Sequence, residues 1–201
     1  MGRSPVTDAE RTELRRRFRS IRLAIQPADR LRLDGAVQDR IDDLLAERGP
    51  GTVALSVAVD GEVDLAGLAP RLRSAGWTLA LPVVDAAETG VMEFHRWDPD
   101  ASSTLNRFGI PEPATGALVD PETLDVIVVP AVAVDSSGHR LGFGGGFYDR
   151  ALAGRGDDVL IVAAVYDEQV IGHLAAEAHD VAAHVIVTPS RTVWVDVARR
   201  S

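Results

Sequence analysis

Short apolar runs alternate with helical patterns along this chain, and that alternation allows few architectures. Leu14, Phe18, Ile21 and Ile25 share one face of a helix that opens at a Thr7–Glu10 capping box. Pro27 starts a second helix carrying Leu31, Val37, Ile41, Leu44 and Leu45, stopped by Gly49-Pro50-Gly51. Thr52 to Val59 reads as a buried strand. Asp64 caps a helix through Leu65, Leu68 and Leu72 that ends at Gly76. Trp77 to Pro82 is the next strand, which makes a β-α-β unit with a right-handed crossover. Val91 to Trp97, Asp125 to Pro130, Val159 to Val165 and His184 to Thr188 are further strands. A helix runs to about Leu152, another covers Glu168 to Ala176, and Thr192 to Val197 is an edge strand. Asp98 to Thr123 reads as a long loop rich in Pro, Gly and Asp. The pattern predicts a three-layer α/β fold, Rossmann-like but not dinucleotide-binding, with a mostly parallel sheet flanked by helices. With 201 residues, one domain over 1–201 is expected.

Arg140 to Arg150 carries the most chemistry. Four glycines lie within Gly142–Gly146, with Arg140 and Arg150 at the ends and Phe143, Phe147, Tyr148 and Asp149 among them. Glycine lets the backbone approach a ligand, and successive bare N–H groups can cradle phosphate oxygens. A helix starting at the last glycines would add positive dipole. Arginine suits phosphate, and Asp149 suits a hard cation. A Walker A loop is excluded, because the chain has no lysine and all 21 basic residues are Arg. A dinucleotide fingerprint fails too. Counting from Gly142, the third glycine position is Phe147; from Gly144 it is Asp149.

Composition removes other classes. The net charge of −9 argues against a nucleic-acid partner. No apolar run approaches the roughly 20 residues that span a bilayer, so no membrane partner is expected. The charged N-terminus has no signal-peptide core, and without cysteine there is no thiolate nucleophile or Cys-zinc site; a cytoplasmic location fits. His95, His139, His173 and His184 show no metal-ligand spacing.

The stretch Arg140 to Arg150 resembles the R-L-G-x-G-x-G-Y-Y-D-R signature of the 5-formyltetrahydrofolate cyclo-ligase family, with Phe147 in place of the first Tyr. Leu124 to Asp135, Arg107 to Pro113, Tyr166 to Gln169, His179-Asp180 and Glu62-Val63-Asp64 resemble other segments of that family, in the same order. The resemblance implies the same α/β class and an ATP- and Mg²⁺-dependent conversion of 5-formyltetrahydrofolate to 5,10-methenyltetrahydrofolate.

It also implies roles for individual residues. Arg140, Leu141, Gly142, Phe143, Gly144, Gly145, Gly146, Phe147 and Tyr148 would wrap ATP, and the same loop from Phe143 to Phe147 would border the folate. Asp149 and Asp180 would hold Mg²⁺. Arg11 and Arg15 would meet the phosphates, with Arg11 where the family has Lys. Arg15, Arg140 and Tyr148 would be catalytic. Val57, Glu62 and Phe108 would contact folate. From residues alone, the stripe Arg11, Arg15, Arg19 and Arg22 reads as a solvated helix face. Glu62 reads equally as a loop carboxylate. Phe108 reads as a local plug, Asp180 as a turn residue, and Met92, Phe94 and Trp97 as strand core. The long loop carrying Phe108 is a candidate lid. The expected partner is a small molecule, and the chain a monomer or weak homodimer. Two other readings stand beside this one: a paralogue acting on another substrate, for which Arg11 and Phe147 speak, and a non-catalytic folate- or nucleotide-binding protein.

Overall fold

The computed structural model describes residues 8–195 except 85–90, 99, 154, 157, 176, 178 and 179. In chain order the elements are α1 (Asp8–Leu23), α2 (Pro27–Ala46), β1 (Thr52–Ala54), α3 (Ala69–Ser74), β2 (Thr78–Val84), β3 (Met92–Arg96), β4 (Ser103–Leu105), β5 (Pro111–Pro113), β6 (Leu118–Val119), β7 (Val126–Pro130), β8 (Ala133–Asp135), β9 (Arg140–Leu141), α4 (Phe147–Leu152), β10 (Leu160–Ala164), β11 (Val170–Ile171), β12 (Val185–Val187) and β13 (Thr192–Trp194).

Eight strands form one sheet in the order β13-β12-β10-β7-β1-β2-β3-β6. The inner strands β12, β10, β7, β1 and β2 run parallel, and β13, β3 and β6 pair antiparallel at the edges. The apolar runs explain this. A strand buried on both faces has no polar side to present, so it reads as continuous Val, Ile, Leu and Ala. Along β7, Val126 and Val128 enter the core under α2, while Ile127 and Val129 enter the core under α4. Those two cores are the outer layers' contacts with the sheet, so the three-layer expectation holds.

Chain order within the parallel strands reverses between β1 and β7. From β1 the chain moves on to β2 on one side, and from β7 it moves on to β10 and β12 on the other. Such a switch point leaves a crevice beyond the carboxyl ends of the two strands. The segment after β1 (Ser56, Val57) and the segment after β7 (Pro130, Ala131) open into it.

A second sheet, β11-β8-β9, stands apart from the first. Helix α1 packs on it through Leu14, Phe18 and Ile21 against Val132, Ala133, Leu141 and Leu174. Its register is parallel between β11 and β8 and antiparallel between β8 and β9.

Several expectations change. The helix foreseen over Glu168–Ala176 is a short 3-10 turn followed by β11. Gln169 Nε2 donates to Ala131 O and Val132 O, and Leu174 N donates to Asp135 Oδ2, so tertiary bonds hold this segment extended. The strand foreseen to Val59 ends at Ala54, because the chain leaves the sheet to line the crevice. The helix after Asp64 starts only at Ala69, although Leu65, Leu68 and Leu72 are buried as expected. The long loop contains a hairpin, β4–β5, and the edge strand β6. A two-residue strand, β9, directly precedes the glycine loop. In α2 the buried stripe begins at Asp34, and Leu31 is 79% exposed. The capping box at Thr7 and the end of the last strand lie outside the described residues. No described helix is long and apolar enough to cross a membrane.

Candidate active site

The crevice holds a cavity of ≈ 620 Å³. Its walls come from the segments after β1 and β7, from the end of β2 and the start of β3, from the β4–β5 hairpin, and from the glycine loop with the start of α4. Most of the lining is apolar, with Val57, Val59, Met92, Phe108, Phe147 and Tyr148 prominent. A cavity of that size with few polar groups suits a small organic ligand.

Glu62 is one of two buried carboxylates of this wall, at 6% exposure; the other is Glu112 of the hairpin. It follows a turn in which Glu62 N donates to Val59 O at 3.0 Å and Val59 N donates back to Glu62 Oε2 at 3.1 Å. Burial raises its carboxyl to about 7, against the pull of Arg22 and of the Val59 N–H toward the charged form. Glu62 Oε1 lies 3.7 Å from Arg22 Nη1 and makes no hydrogen bond to a protein group. Burial also pushes the Tyr148 hydroxyl well above the ordinary phenol range, with the Glu62 charge adding to it. Tyr148 is therefore a neutral O–H at neutral pH.

The β4–β5 hairpin brings Phe108 over the cavity. Asn106 Oδ1 accepts from the N–H groups of Phe108 and Ile110, at 2.8 and 3.0 Å. Asn106 Nδ2 donates to Glu112 Oε1 at 2.7 Å, which also accepts from Val84 N at 2.8 Å. The tip is thus tied to β2. Phe108 remains 55% exposed and meets Phe147 edge to face, with centroids 6.3 Å apart. Met92 lines the cavity, while Phe94 sits in the core and Trp97 packs against it.

The glycine loop turns through positive φ at Gly144 (103°) and Gly146 (61°), backbone that side chains rarely adopt. A Cβ at Gly145 would lie 2.6 Å from the Phe147 ring. Helix α4 begins at Phe147 and spans six residues, so its dipole is short and the loop N–H groups are the main donors. Arg15 Nε donates to Gly142 O at 2.9 Å, and its guanidinium lies against Gly144. Leu141 is buried beside α1, so its part in any ligand contact is through its backbone.

Charges gather on one side of this loop. Arg140 Nη2 donates to Asp149 Oδ1 at 2.9 Å and to Val181 O at 3.0 Å, while its Nε is buried without a hydrogen bond. Burial disfavours the Arg140 charge, and Asp149 favours it. Arg11 Nη2 donates to Ala175 O at 2.8 Å and lies 3.2 Å from Glu177 and 3.7 Å from Asp180. All three contacts are made by the one guanidinium nitrogen Nη2. Asp149 also accepts from Val181 N at 3.3 Å, which brings it next to Asp180 in the chain. Among the described residues no three metal-type side chains cluster. Two carboxylates beside phosphates are nevertheless the usual donor set for Mg²⁺, so Asp149 and Asp180 fit it.

Val57, Glu62, Phe108, Arg140, Gly142, Phe143, Gly145, Gly146, Phe147, Tyr148 and Asp149 therefore all line the cavity. Gly144, in the loop itself, turns toward Arg15 instead, and Arg11 and Asp180 face each other on the neighbouring segment. The Arg stripe of α1 is not a solvated face. Arg22 is 0% exposed, Arg19 pairs with Asp60, Arg15 bonds to Gly142 O of the loop, and Arg11 bonds to Ala175 O. Regular spacing of Arg11, Arg15, Arg19 and Arg22 shows a shared helix face but not its burial; Glu112 enters only as part of the Arg107–Pro113 segment, and Asn106 gives no signal.

A family model described as the 5-formyltetrahydrofolate cyclo-ligase family matches residues 7–189. The 5-formyltetrahydrofolate cyclo-ligase of Escherichia coli is 36% identical over 146 residues, 71% of this chain and 80% of that one. The enzyme of that name from Mycolicibacterium smegmatis is 37% identical over 147 residues, covering 71% and 75%. Among solved structures, the 5,10-methenyltetrahydrofolate synthetase of Aquifex aeolicus superposes with a TM-score of 0.82 at 34% identity, over 95% of both chains.

Proposed function

We infer that this chain, which belongs to the 5-formyltetrahydrofolate cyclo-ligase family, converts 5-formyltetrahydrofolate to 5,10-methenyltetrahydrofolate at the expense of ATP. The observation that carries the reading is the adjacency of two unlike half-sites on one loop. Residues of the Gly142–Tyr148 loop wall a mostly apolar cavity in which Glu62 is buried without a hydrogen bond on Oε1, and the same loop meets Arg15 and is flanked by Arg140, with Arg11 on the neighbouring segment that carries Asp180.

The chemistry needs that adjacency. A formamide oxygen leaves poorly. Transfer of the γ-phosphoryl group to this oxygen releases ADP and makes the oxygen a phosphate ester; N10 of the folate attacks the activated carbon and loses its proton, and the C–O bond breaks to release phosphate. No protein nucleophile takes part. The protein's work is to place the two reactants and to stabilise charge on the moving phosphoryl group.

Val57, Phe108, Phe143 and Phe147 supply apolar and aromatic surface for the pterin. Glu62 accepts from its N–H groups, and the neutral Tyr148 O–H is a donor beside it. Arg11, Arg15 and Arg140 take phosphate oxygens with the loop N–H groups. Asp149 and Asp180 would hold Mg²⁺, which when bound neutralises phosphate charge and orients the γ-phosphoryl group. Ligand binding then exchanges partners: Arg140 and Arg11 turn from carboxylates to phosphates, which leaves Asp149 and Asp180 as the groups that would hold Mg²⁺. Phe108, exposed on a hairpin tip, closes over the bound folate. We read the chain as one domain, working as a cytoplasmic monomer or weak homodimer.

The test is the near-ultraviolet absorbance of the methenyl product in a mixture of protein, 5-formyltetrahydrofolate, ATP and Mg²⁺. Growth only in the complete mixture is expected. A flat trace from folded protein that binds ATP contradicts the reading.

A further inference from the structure

Backbone strain and buried charge coincide at the Val59–Glu62 turn. Asp60 has φ 54° and Gly61 φ 76°, and Asp60 is the sole non-glycine residue with positive φ among the described residues. Two successive positive values match a type I′ turn, and strain of this kind persists only where surroundings impose it. Here three arginines from two helices impose it. Arg19 of α1 pairs with the Asp60 carboxylate, Arg22 Nε donates to Asp60 O at 2.8 Å, and Arg30 Nη1 of α2 donates to Gly61 O at 2.7 Å.

Arg22 does more than brace the turn. It is 0% exposed, and its Nη1 reaches Ala131 O at 3.3 Å, just past β7, so it links both strand ends that frame the crevice. Its guanidinium carbon lies 5.2 Å from the centre of the Phe143 ring on the glycine loop. Nη1 stands 3.7 Å from Glu62 Oε1, yet neither Arg22 Nη2 nor Glu62 Oε1 makes a hydrogen bond within the protein. The carbonyls that Arg22 reaches carry no net charge, and a buried guanidinium is costly unless an anion faces it, which Glu62 does here.

We propose that Arg22 is a positioning residue for the substrate, holding the Glu62 carboxylate at the cavity wall through the clamped turn and against Phe143. This rests on the reading that Glu62 faces the folate. Arg22 also favours the charged form of Glu62, opposing burial. The other groups around Glu62 are Asp60 in its own turn with Arg19 bound to it, Arg30 behind Gly61, Tyr148 from α4, and Tyr166, whose hydroxyl approaches Glu62 O.

The experiment compares Arg22→Met, Arg22→Lys, Glu62→Gln and the double variant R22M/E62Q with the wild type. It reads KM for 5-formyltetrahydrofolate, KM for ATP, and the acid limb of kcat/KM for folate. R22M should raise the folate KM about tenfold or more, leave the ATP KM within about twofold, and move the acid limb to higher pH. R22K should recover part of both effects, because it restores the charge. The double variant should be no worse for folate than E62Q, since both act through one carboxylate. A folate KM unchanged in R22M, or an equal rise in both KM values, overturns the proposal. If R22M does not fold, R22K decides: a folate KM raised about threefold with the ATP KM near normal supports the proposal, and an unchanged folate KM or an equal rise in both overturns it. An impaired E62Q beside a normal R22M sinks the Arg22 proposal alone, whereas a normal E62Q sinks the reading of Glu62 itself and the proposal with it.

Discussion

The two half-sites on the glycine loop differ in how complete they are. The apolar side is built: its cavity of ≈ 620 Å³ is walled by strand ends, a tethered hairpin and a clamped turn. The charged side is occupied by itself. Arg140 is held by Asp149, and Arg11 by Glu177 and Asp180. An apolar wall loses little by waiting for a ligand, whereas buried cations such as Arg140 need an anion at all times. The folate half should therefore bind like a preformed pocket, and the nucleotide half only by exchanging partners.

The largest effect should come from the residue that touches both halves. Arg140→Met removes a phosphate ligand and leaves Asp149 without its partner; kcat/KM should fall by about 10²–10³, in steady-state absorbance kinetics. A loss confined to one substrate's KM would split the two halves more sharply than drawn here. Glu62→Gln should raise the folate KM about tenfold or more while the ATP KM stays near normal.

The same substitution has an opposite effect on stability. Glu62 titrates at about 7 when folded, above the ordinary 4.5. Between those pH values the folded state holds the proton that the unfolded state releases, so stability falls as pH rises through that window. E62Q should thus be more stable than wild type at pH 8, by up to about 3 kcal/mol, and no more stable near pH 4. Thermal melts across pH check this; parallel curves would show that Glu62 is not buried as described.

On the charged side, Arg15→Ala should raise the ATP KM by about fivefold with folate binding unchanged, because Arg15 touches the loop from outside the cavity. An equal change in folate KM would mean that the loop moves as one piece. The smallest effect belongs to Phe108→Ala. Phe108 is mostly exposed, so melting should shift little, while the folate KM rises about threefold. Destabilisation instead would make Phe108 a core plug, not a cover.

Legibility in the sequence followed the same divide. The apolar run at Val126–Pro130 could only be a doubly buried strand, and it is. The hairpin β4–β5 was hidden because Pro111 and Pro113 read as loop, and its pairing depends on Glu112 reaching Val84 and Asn106. Helix pattern over Glu168–Ala176 lost to bonds from Gln169 and Asp135, which no local signal reveals. At the site, the glycine loop announced itself through composition, whereas Glu62 needed the family resemblance. Arg22 was missed because spacing shows that four arginines share a face but not that one is buried.

The preformed-cavity claim is tested most directly by calorimetric titration of 5-formyltetrahydrofolate into nucleotide-free protein, wild type and E62Q. Binding to the wild type without ATP, weakened about tenfold or more in E62Q, is the predicted result. Wild-type protein that binds folate only after ATP is added would contradict it.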